Sequence, residues 1–238
     1  MRKFAAAILI GLGAAALVLG TNWLLTALAP GSGLQPLQTV ETRTYDWRLT
    51  HTVRPETARK DFALVEIDEY SLRKLQPNAG RWPWPRVVHS MLVDYLARGP
   101  ARVVAYDVVF SEPDSRTGFK FGESTVSGEE SDRAFADSVK AAGNVILLGD
   151  SSYDADVPGV GVPDTGYPLD VPGIYELRGV LPPFPLLAAA ASGLGHNRFI
   201  LDPDGPRRHT VPFVRTHQRA LPSLGAAAAL RVAGISPP

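Results

Sequence analysis

The sequence predicts an α/β fold, an open and largely parallel sheet with flanking helices plus an antiparallel hairpin, preceded by one N-terminal transmembrane helix. Short β-branched runs alternate with helical periodicity between residues 63 and 148. A turn sequence, Asp202–Gly205, separates two later apolar runs, and an uncharged apolar stretch opens the chain. Strands that alternate with amphipathic helices are typical of a parallel sheet.

Composition excludes several classes of function. The 238 residues contain 24 Lys+Arg, 24 Asp+Glu and no cysteine. Because the charges balance and the basic residues are scattered, we predict no nucleic-acid partner. The absence of cysteine excludes a disulfide scaffold, a zinc-thiolate site and thiol catalysis.

The first 30 residues predict a cytoplasmic tip and a transmembrane anchor. The run from Phe4 to Ala29 holds no ionisable side chain over 26 residues, and about 20 suffice to cross the hydrocarbon core. Arg2 and Lys3 precede it and are expected to stay in the cytoplasm. We therefore predict a single-pass protein of the inner (cell) membrane whose C-terminal domain is extracytoplasmic, in the periplasm.

A cleavable signal peptide is the alternative for the same segment. Ala27–Ala29 resembles an A-x-A cleavage site, but the apolar run is longer than a signal core and Pro30 follows the site. Both interpretations export the rest of the chain.

Residues 31–60 predict a helix or extended arm that leads from the membrane to the domain. Its apolar residues are spread among polar ones; they are Leu37, Val40, Tyr45, Trp47 and Leu49.

Residues 61–238 form the predicted α/β domain, which opens on a strand–helix–strand unit. The first strand is Ala63–Ile67, which ends at Asp68, and the second is Ala101–Phe110. Between them, the RWPWPR segment leads into a helix, with Pro85 in its first turn. Its predicted buried stripe is Val87, Val88, Met91, Leu92, Tyr95 and Leu96, and its polar back is His89, Ser90, Asp94 and Arg98. Such a unit has parallel strands and a right-handed crossover.

A second helix and a third strand continue the alternation. Residues 111–130 are polar and glycine-containing, so they predict a loop. Ser131 begins a helix that ends at Gly143 and buries Phe135, Val139 and Ala142, and Val145–Leu148 is a continuous apolar strand.

The last third of the domain is less regular. Residues 153–185, rich in proline and glycine, predict an ordered excursion against the sheet. A short helix, Pro185–Ala191, follows and ends at Gly193. His196–Leu201 and Arg207–Thr216 flank the Asp-Pro-Asp-Gly turn and predict the hairpin. A helix from Leu221 to Val232 closes the domain.

Acidic residues at the predicted strand ends are the first candidate ligand-binding residues. Asp68 and Asp107 would lie at the carboxyl ends of neighbouring parallel strands, with Glu112 in the loop beyond, where open α/β sheets bind ligands. Such carboxylates could hold a divalent cation. Alternatively, Asp68 caps a turn through Ser71 and Asp107 binds backbone amides. Because no known ligand spacing is present, we predict no cofactor and leave a divalent cation at Asp68 and Asp107 as the alternative.

The proline-stiffened tryptophan segment supplies the next candidates. Trp82, Trp84 and Arg86 could form the wall of a small-ligand site or a partner surface. Alternatively, a tryptophan packs in the core and Arg86 pairs with Asp68 or Asp107. Asp204 is explained by its turn, and ligand binding there is an added hypothesis.

No motif for catalysis is present. The sequence lacks a Walker A loop, a dinucleotide-binding glycine motif after the first strand, a nucleophile elbow and H-E-x-x-H. We therefore predict no catalytic residues, and whether the whole protein is an enzyme stays open.

Four blocks resemble a known family. EIDEYSL, GRWPWPR, VVAYDVVFSEPD and DPDGPRRHTVPF occur in this order and resemble the CHASE2 domain, over roughly Tyr45 to Gly234. CHASE2 is the extracytoplasmic sensory module of bacterial adenylate cyclases, histidine kinases and serine/threonine kinases.

The resemblance implies a membrane-anchored signal-transduction receptor that responds to an unknown extracytoplasmic stimulus and forms a homodimer. It also implies that this chain is either the sensory part of a longer protein with a cyclase or kinase output, or a stand-alone domain acting through a partner. Two alternatives stay open. One is an exported metal-dependent hydrolase using Asp68, Asp107 and Asp204, and the other is an envelope scaffold that binds through Trp82 and Trp84.

Overall fold

The computed structural model describes residues 2–28, 36–57, 60–151, 166–169, 171–202, 204–216 and 219–237. These residues divide into two compact units. The first comprises Met1–Val65 with Asp202–Pro206, and the second comprises Glu66–Leu201 with Arg207–Pro238.

The first unit consists mainly of two helices, α1 (Arg2–Leu28) and α2 (Pro36–Thr52), followed by a 3₁₀ turn at Pro55–Thr57. The segment Ile8–Leu28 of α1 has a mean hydropathy of 2.0 and is not buried, so it is long and apolar enough to cross a membrane. A signal sequence near the N-terminus has the same properties. The predicted long, apolar N-terminal helix is confirmed, and α2 is the helical form of the predicted arm.

The second unit alternates helices and strands. In chain order its elements are α3 (Glu69–Ala79), α4 (Arg86–Ala97), β1 (Val104–Tyr106), β2 (Phe119–Phe121), β3 (Ser124–Val126), α5 (Gly128–Ala142), β4 (Val145–Gly149), β5 (Tyr175–Leu177), α6 (Pro185–Ala190), β6 (Gly193–His196), β7 (Phe213–Thr216), β8 (Arg219–Pro222) and α7 (Leu224–Val232).

The central sheet is parallel, with the strand order β1-β4-β6. Val104 lies opposite Val145, and Leu147 of the fully buried β4 lies opposite Leu194. The crossover from β1 to β4 contains α5. This helix begins with a capping box in which Glu130 N–H donates to Ser127 Oγ and Glu130 Oε2 accepts from Ser127 N–H. The predicted α/β class with a parallel sheet is confirmed, although α5 starts earlier than predicted because Ser127 is its cap.

The predicted first strand is wrong. Residues 62–68 lie outside any helix or strand, and Leu64 is 89% exposed. Instead, Asp68 caps α3, accepting hydrogen bonds from Ser71 N–H at 2.7 Å and from Ser71 Oγ at 2.6 Å. The apolar run before Asp68 is only five residues long, and Asp68 is a strong N-cap. The start of helix α3 is therefore favoured over a strand. As a result, Asp68 and Asp107 do not follow neighbouring strands, and α4 is not the crossover.

The predicted buried face of α4 is only partly right, since Val87, Val88, Leu92 and Leu96 are half-buried and Leu92 packs against the core. His89, Ser90 and Val93 are buried, whereas Met91 is 55% and Tyr95 71% exposed. The helix packs against α5, and Ser131 Oγ on that helix accepts a hydrogen bond from Val87 N–H. A hydropathy pattern assigns histidine and serine to solvent, but here Ser90 Oγ donates to the Val87 carbonyl at 2.9 Å and one ring nitrogen of His89, Nδ1, lies 2.7 Å from Tyr106 Oη.

Two predictions about the C-terminal part are wrong in detail. Gly193–Gly195 is part of strand β6, not a helix end. The antiparallel hairpin is present, but it joins β7 to β8, with Val214 opposite Leu221. Gly205 N–H does donate to the Asp202 carbonyl in the predicted turn, at 2.8 Å. The described residues next to this turn, 197–202 and 204–212, lie outside any strand; Pro212 interrupts the second predicted arm, because proline cannot donate to a ladder.

Two remaining predictions need qualification. Leu221 and Pro222 end β8, so the last helix, α7, begins only after Ser223 caps it through Ala226 N–H. Residues 152–165 and 170 lie outside the described residues, so a little under half of the predicted excursion does too. Its described part includes β5, which pairs in parallel with β7.

The main core lies between the central sheet and helices α4, α5 and α6. Its members are buried and largely aromatic or aliphatic; they are Val93, Tyr106, Phe110, Phe135, Ala136, Val139, Val145, Leu147, Phe184 and Leu187. One edge of this core reaches the segment that follows β1, where the candidate site lies.

Candidate functional site

A cavity of about 340 Å³ lies within the second unit, where the start of α4 meets the segment after β1. It is lined by Trp82, Pro83, Arg86, His89, Asp107, Val108, Val109 and Phe110. Because α4 begins at Arg86, its first turn supplies two of these side chains, Arg86 and His89. Asp107 follows the carboxyl end of β1, and this is the end of a parallel strand at which open α/β sheets bind ligands.

His89 is the most deeply buried polar residue of the lining, at 1% exposure. Its Nδ1 lies 2.7 Å from Tyr106 Oη. Five aromatic rings surround the imidazole with centroids 5.0 to 6.1 Å away; they are Trp82, Trp84, Tyr106, Phe110 and Phe135. Burial, with a contribution from Arg86, lowers the pKa of His89 to about 4, so the ring is neutral near pH 7. Among the described residues, its Nε2 has no hydrogen-bond partner.

Arg86 is the cation of the lining. One Nη donates to the Glu112 carbonyl at 3.1 Å, and the guanidinium lies 4.9 Å from the centroid of the Phe110 ring. Its Nε is 3.8 Å from Asp132 Oδ1, and neither atom makes a hydrogen bond within the described part of the chain. Burial lowers the pKa of Arg86 and raises that of Asp132. For both groups, therefore, the cost of desolvation exceeds the mutual attraction at this distance.

A neighbouring ion pair holds the tryptophan segment in place. Arg116 donates to Asp114 Oδ2 at 2.6 Å and to the Pro83 carbonyl at 2.7 Å. Asp114 N–H donates to Asp132 Oδ2 at 2.8 Å. The cavity wall is thereby joined to α5 through a chain of charge-assisted hydrogen bonds.

The predicted site residues are only partly brought together. Trp82, Arg86 and Asp107 line the cavity. Trp84 is buried at 4% exposure, and its ring lies edge-on to Trp82 at 5.3 Å. Arg86 pairs with Asp132, so the predicted pairing with Asp68 or Asp107 is wrong.

Besides Trp84, three predicted residues are not among those that line the cavity. Glu112 contributes its carbonyl to Arg86. Asp68 caps α3, and these hydrogen bonds with Ser71 lower its pKa. Asp204 lies in the turn Asp202–Pro206, which belongs to the first unit.

Sequence reasoning missed His89, Tyr106 and Asp132. A usable signal was the spacing of Arg86 and His89, since residues three apart share a helix face. The side chains of Arg86 and His89 are therefore expected to lie on the same side of α4. Asp132 had no comparable signal, because its role depends on how α5 packs against α4.

A family model supplies the identification. The model described as the CHASE2 domain matches residues 15–236, nearly the whole chain. The chain belongs to the CHASE2 family. The match confirms the resemblance and extends it into α1. No curated protein and no solved structure matches the chain.

CHASE2 domains are extracytoplasmic sensory domains of signal-transduction receptors. In this CHASE2 domain, no group of three or more histidine, aspartate or glutamate side chains is placed to hold a metal ion among the residues described. The cavity is lined by aromatic and aliphatic side chains, the neutral imidazole of His89 and the guanidinium of Arg86, which is paired with Asp132.

A second polar network of the CHASE2 domain lies at the carboxyl ends of β4 and β6. Ser151 donates through N–H and Oγ to Asn197 Oδ1, at 3.0 and 2.9 Å, and Asn197 Nδ2 donates to Asp150 at 3.2 Å. Arg198 N–H donates to His196 Nδ1 at 2.9 Å, which places the proton of the neutral ring on Nε2. These bonds join neighbouring strand ends, so we assign the network a structural role.

Proposed function

We propose that this chain is the extracytoplasmic, ligand-binding sensory domain of a membrane-anchored bacterial signal-transduction receptor, and that its stimulus binds in the cavity lined by Trp82, Arg86 and His89. CHASE2 membership supports the sensory role. The observation that most favours ligand binding is the cavity of about 340 Å³ itself, whose lining combines aromatic and aliphatic side chains with Arg86 and His89. Ligand sites are typically apolar cavities of about 300–1,000 Å³ with a few polar groups.

The position of the cavity suggests how binding is sensed. Its lining comes from two parts of the chain, the stretch from Trp82 into the first turn of α4 and the segment after β1. A ligand that contacts both favours the conformation in which they are correctly spaced, and only such unequal binding shifts an equilibrium. The output is a nucleotide cyclase or kinase domain, in the same longer protein or in a partner.

Thermal unfolding can detect a ligand whose identity is not yet established. The full chain in lipid nanodiscs is heated in the presence of fractionated small molecules from cells and medium. A ligand at 100 times its Kd stabilises by about 2.7 kcal/mol, which raises Tm by roughly 5–10 °C in a domain of this size. We expect at least one fraction to do so, and Trp82→Ala to abolish the shift while Trp47→Ala on α2 retains it. If no fraction shifts the wild type more than Trp82→Ala, the ligand-binding role is wrong.

Membrane topology is proposed from α1 and from Arg2 and Lys3 before it. In this proposal α1 crosses the cell membrane and the α/β unit lies in the periplasm. Because the chain has no cysteine, single cysteines report sidedness directly. Lys140→Cys should react with a membrane-impermeant maleimide in intact cells, and Lys3→Cys only after permeabilisation. The reverse pattern would exclude this topology.

Homodimerisation is proposed through α2. Val40 and Trp47, seven residues apart, are 59% and 62% exposed, and this spacing favours pairing of two helices. Val40→Cys should form a disulfide-linked dimer on mild oxidation in membranes, whereas Lys140→Cys should not. Equal crosslinking of both variants would count against the α2 interface.

A further inference from the structure

Three consecutive large apolar side chains are exposed after strand β6. Phe199, Ile200 and Leu201 are 49%, 40% and 56% exposed. Elsewhere in the described part of the second unit, exposed large apolar residues occur singly along the chain. A single exposed apolar residue is ordinary, whereas a run of three is an error of design unless it has a function. The run therefore indicates a surface that meets an apolar partner.

The apolar run leads directly into a closed turn. Asp202 N–H donates to the Pro206 carbonyl at 3.0 Å, and Gly205 N–H donates to the Asp202 carbonyl at 2.8 Å. This turn, Asp202–Pro206, is grouped with α1 in the first unit, and α1 is the helix proposed to cross the membrane. The exposed run therefore adjoins, in the chain, a segment that is grouped with the candidate membrane helix.

An arginine accompanies the apolar run on the other side of the turn. Arg207 is exposed, and its guanidinium lies 4.3 Å from the centroid of the Phe199 ring. Side chains of this kind lie along apolar surface and keep the charged head in water, as they do at membrane interfaces. Arg198 instead donates to Tyr175 Oη at 2.6 Å. Arg207 is thus the arginine of this region best placed to bind a phosphate group of a lipid.

A second copy of the chain fits this surface less well than a lipid bilayer does. A standard protein interface buries about 800 Å² on each partner, and three partly exposed side chains offer much less. Binding to a bilayer needs no matched area, because its strength scales with the apolar area buried and with the adjacent charge. Asp202 and Asp204 in the turn keep the local net charge low, so the apolar side chains supply most of the attraction.

We propose that Phe199, Ile200 and Leu201 insert into the extracytoplasmic surface of the phospholipid bilayer that α1 crosses, and that Arg207 binds lipid phosphate there. This inference rests on the proposed membrane anchor. It gives the sensory domain a second contact with the membrane, so the lipid surface as well as the chain restrains how the domain is held.

Single cysteines test the contact, because the chain has none of its own. Leu201→Cys is compared with Leu186→Cys, at a leucine of α6 that is 50% exposed, in the full chain in nanodiscs containing phosphatidylglycerol. The rate of reaction with a membrane-impermeant maleimide measures exposure to water. Since an interfacial segment lies about 5–10 Å into the bilayer boundary, we expect Leu201→Cys to react about tenfold more slowly. Equal rates at the two positions would overturn the contact.

Two further substitutions separate the apolar and the charged parts of the surface. Ile200→Ser, added to Leu201→Cys, should restore most of the lost reactivity, because a serine gains little from entering the bilayer. Arg207→Gln should raise the rate about fivefold, since that is the effect of one arginine near an anionic lipid surface. Neither substitution should change the rate of Leu186→Cys. Unchanged protection of Leu201→Cys in both variants would contradict the proposal.

A spin label on Leu201→Cys identifies what covers this position. Oxygen concentrates in hydrocarbon and a nickel chelate stays in water, so a label in lipid should collide more with oxygen and less with nickel than a label on Leu186→Cys. Few collisions with either would indicate a protein surface, such as a second copy, and would overturn the lipid assignment.

A label in α1 distinguishes failure of this inference from failure of the membrane anchor. Leu17 is 71% exposed on α1, and a label on Leu17→Cys should lie in hydrocarbon. If that label is in water, the anchor itself is wrong, and the inference falls with it. If it is in hydrocarbon while the label on Leu201→Cys is in water, only the second membrane contact is wrong.

Discussion

Tyr106 Oη lies 2.7 Å from His89 Nδ1, inside a cluster of aromatic rings where the two residues are 6% and 1% exposed. The two side chains belong to different elements, β1 and α4. This hydrogen bond therefore connects the central sheet to the helix that lines the cavity.

Removing the hydroxyl group of Tyr106 should destabilise the fold. Tyr106→Phe leaves His89 Nδ1 buried without a partner, which costs about 1–3 kcal/mol. Denaturant unfolding of the full chain in nanodiscs measures the loss. Tyr95→Phe, at a residue that is 71% exposed on α4, should change stability by less than about 0.5 kcal/mol. Equal effects of the two substitutions would show that the bond contributes nothing.

Stability should fall as the pH falls from about 6.5 to about 4. Burial lowers the pKa of both His89 and His196 to about 4 in the folded protein, whereas the unfolded value is about 6.5. Over this window the unfolded chain binds protons that the folded chain does not, so unfolding is favoured. The loss is roughly 3 kcal/mol per histidine, partly offset by Asp132, whose raised pKa acts in the opposite direction.

Denaturant midpoints measured at successive pH values give the slope of stability against pH between about pH 6.5 and 4. His89→Phe should reduce it by about half, because His196 still contributes. His51→Phe on α2 serves as the control and should leave it unchanged. An unaltered slope in His89→Phe would mean that His89 binds protons equally in the folded and unfolded states.

The two glycines of β6 should differ sharply in their tolerance of alanine. A Cβ at Gly195 would lie 2.5 Å from Leu224 Cα, a backbone atom of α7, whereas a Cβ at Gly193 meets nothing within 4 Å. Gly195→Ala should cost about 1–3 kcal/mol through overpacking, and Gly193→Ala should change stability by less than about 1 kcal/mol. Thermal unfolding of the pair is the measurement. Comparable tolerance would mean that β6 and α7 are not in close contact.

Asp132, the buried acid beside Arg86, should contribute more to stability than Asp137, an exposed acid on the same helix. Asp132→Asn retains an oxygen for Asp114 N–H but leaves Arg86 without its carboxylate. Breaking a buried pair costs about 3–5 kcal/mol, and we expect the low end because the two atoms are 3.8 Å apart. Asp137→Asn, an exposed change on the same helix, is the control and should be near neutral in denaturant unfolding. A near-neutral Asp132→Asn would show that Arg86 is solvated in the folded state.

Much of the fold was predictable because its signals are local. The long apolar run of α1, the buried strand β4 and the Phe135–Val139 stripe of α5 each follow from a pattern within one element. The family resemblance, which rests on the order of several short blocks, was confirmed by the family model that matches residues 15–236. Where two local signals competed, as at Asp68, the helix cap prevailed over a short apolar run.

The candidate site was less predictable because it depends on contacts between elements. Trp82, Arg86 and Asp107 were found from their chemistry alone. His89 was assigned to solvent, since no sequence pattern shows that Tyr106 will meet its Nδ1. Arg86 was given the wrong partner because the correct one, Asp132, comes from a helix 46 positions later in the chain.

The hydrogen bonds from Arg116 to Pro83 and Asp114, and from Asp114 to Asp132, have a mechanical consequence. A molecule that displaces the Trp82–Pro83 segment must either stretch these bonds or move α5 at Asp132, the fifth residue of that helix. From Asp132 that helix continues for ten more residues, to Ala142. A displacement of Trp82 that moves this helix would therefore reach its C-terminal end, about 15 Å from Asp132, since each helical residue spans 1.5 Å.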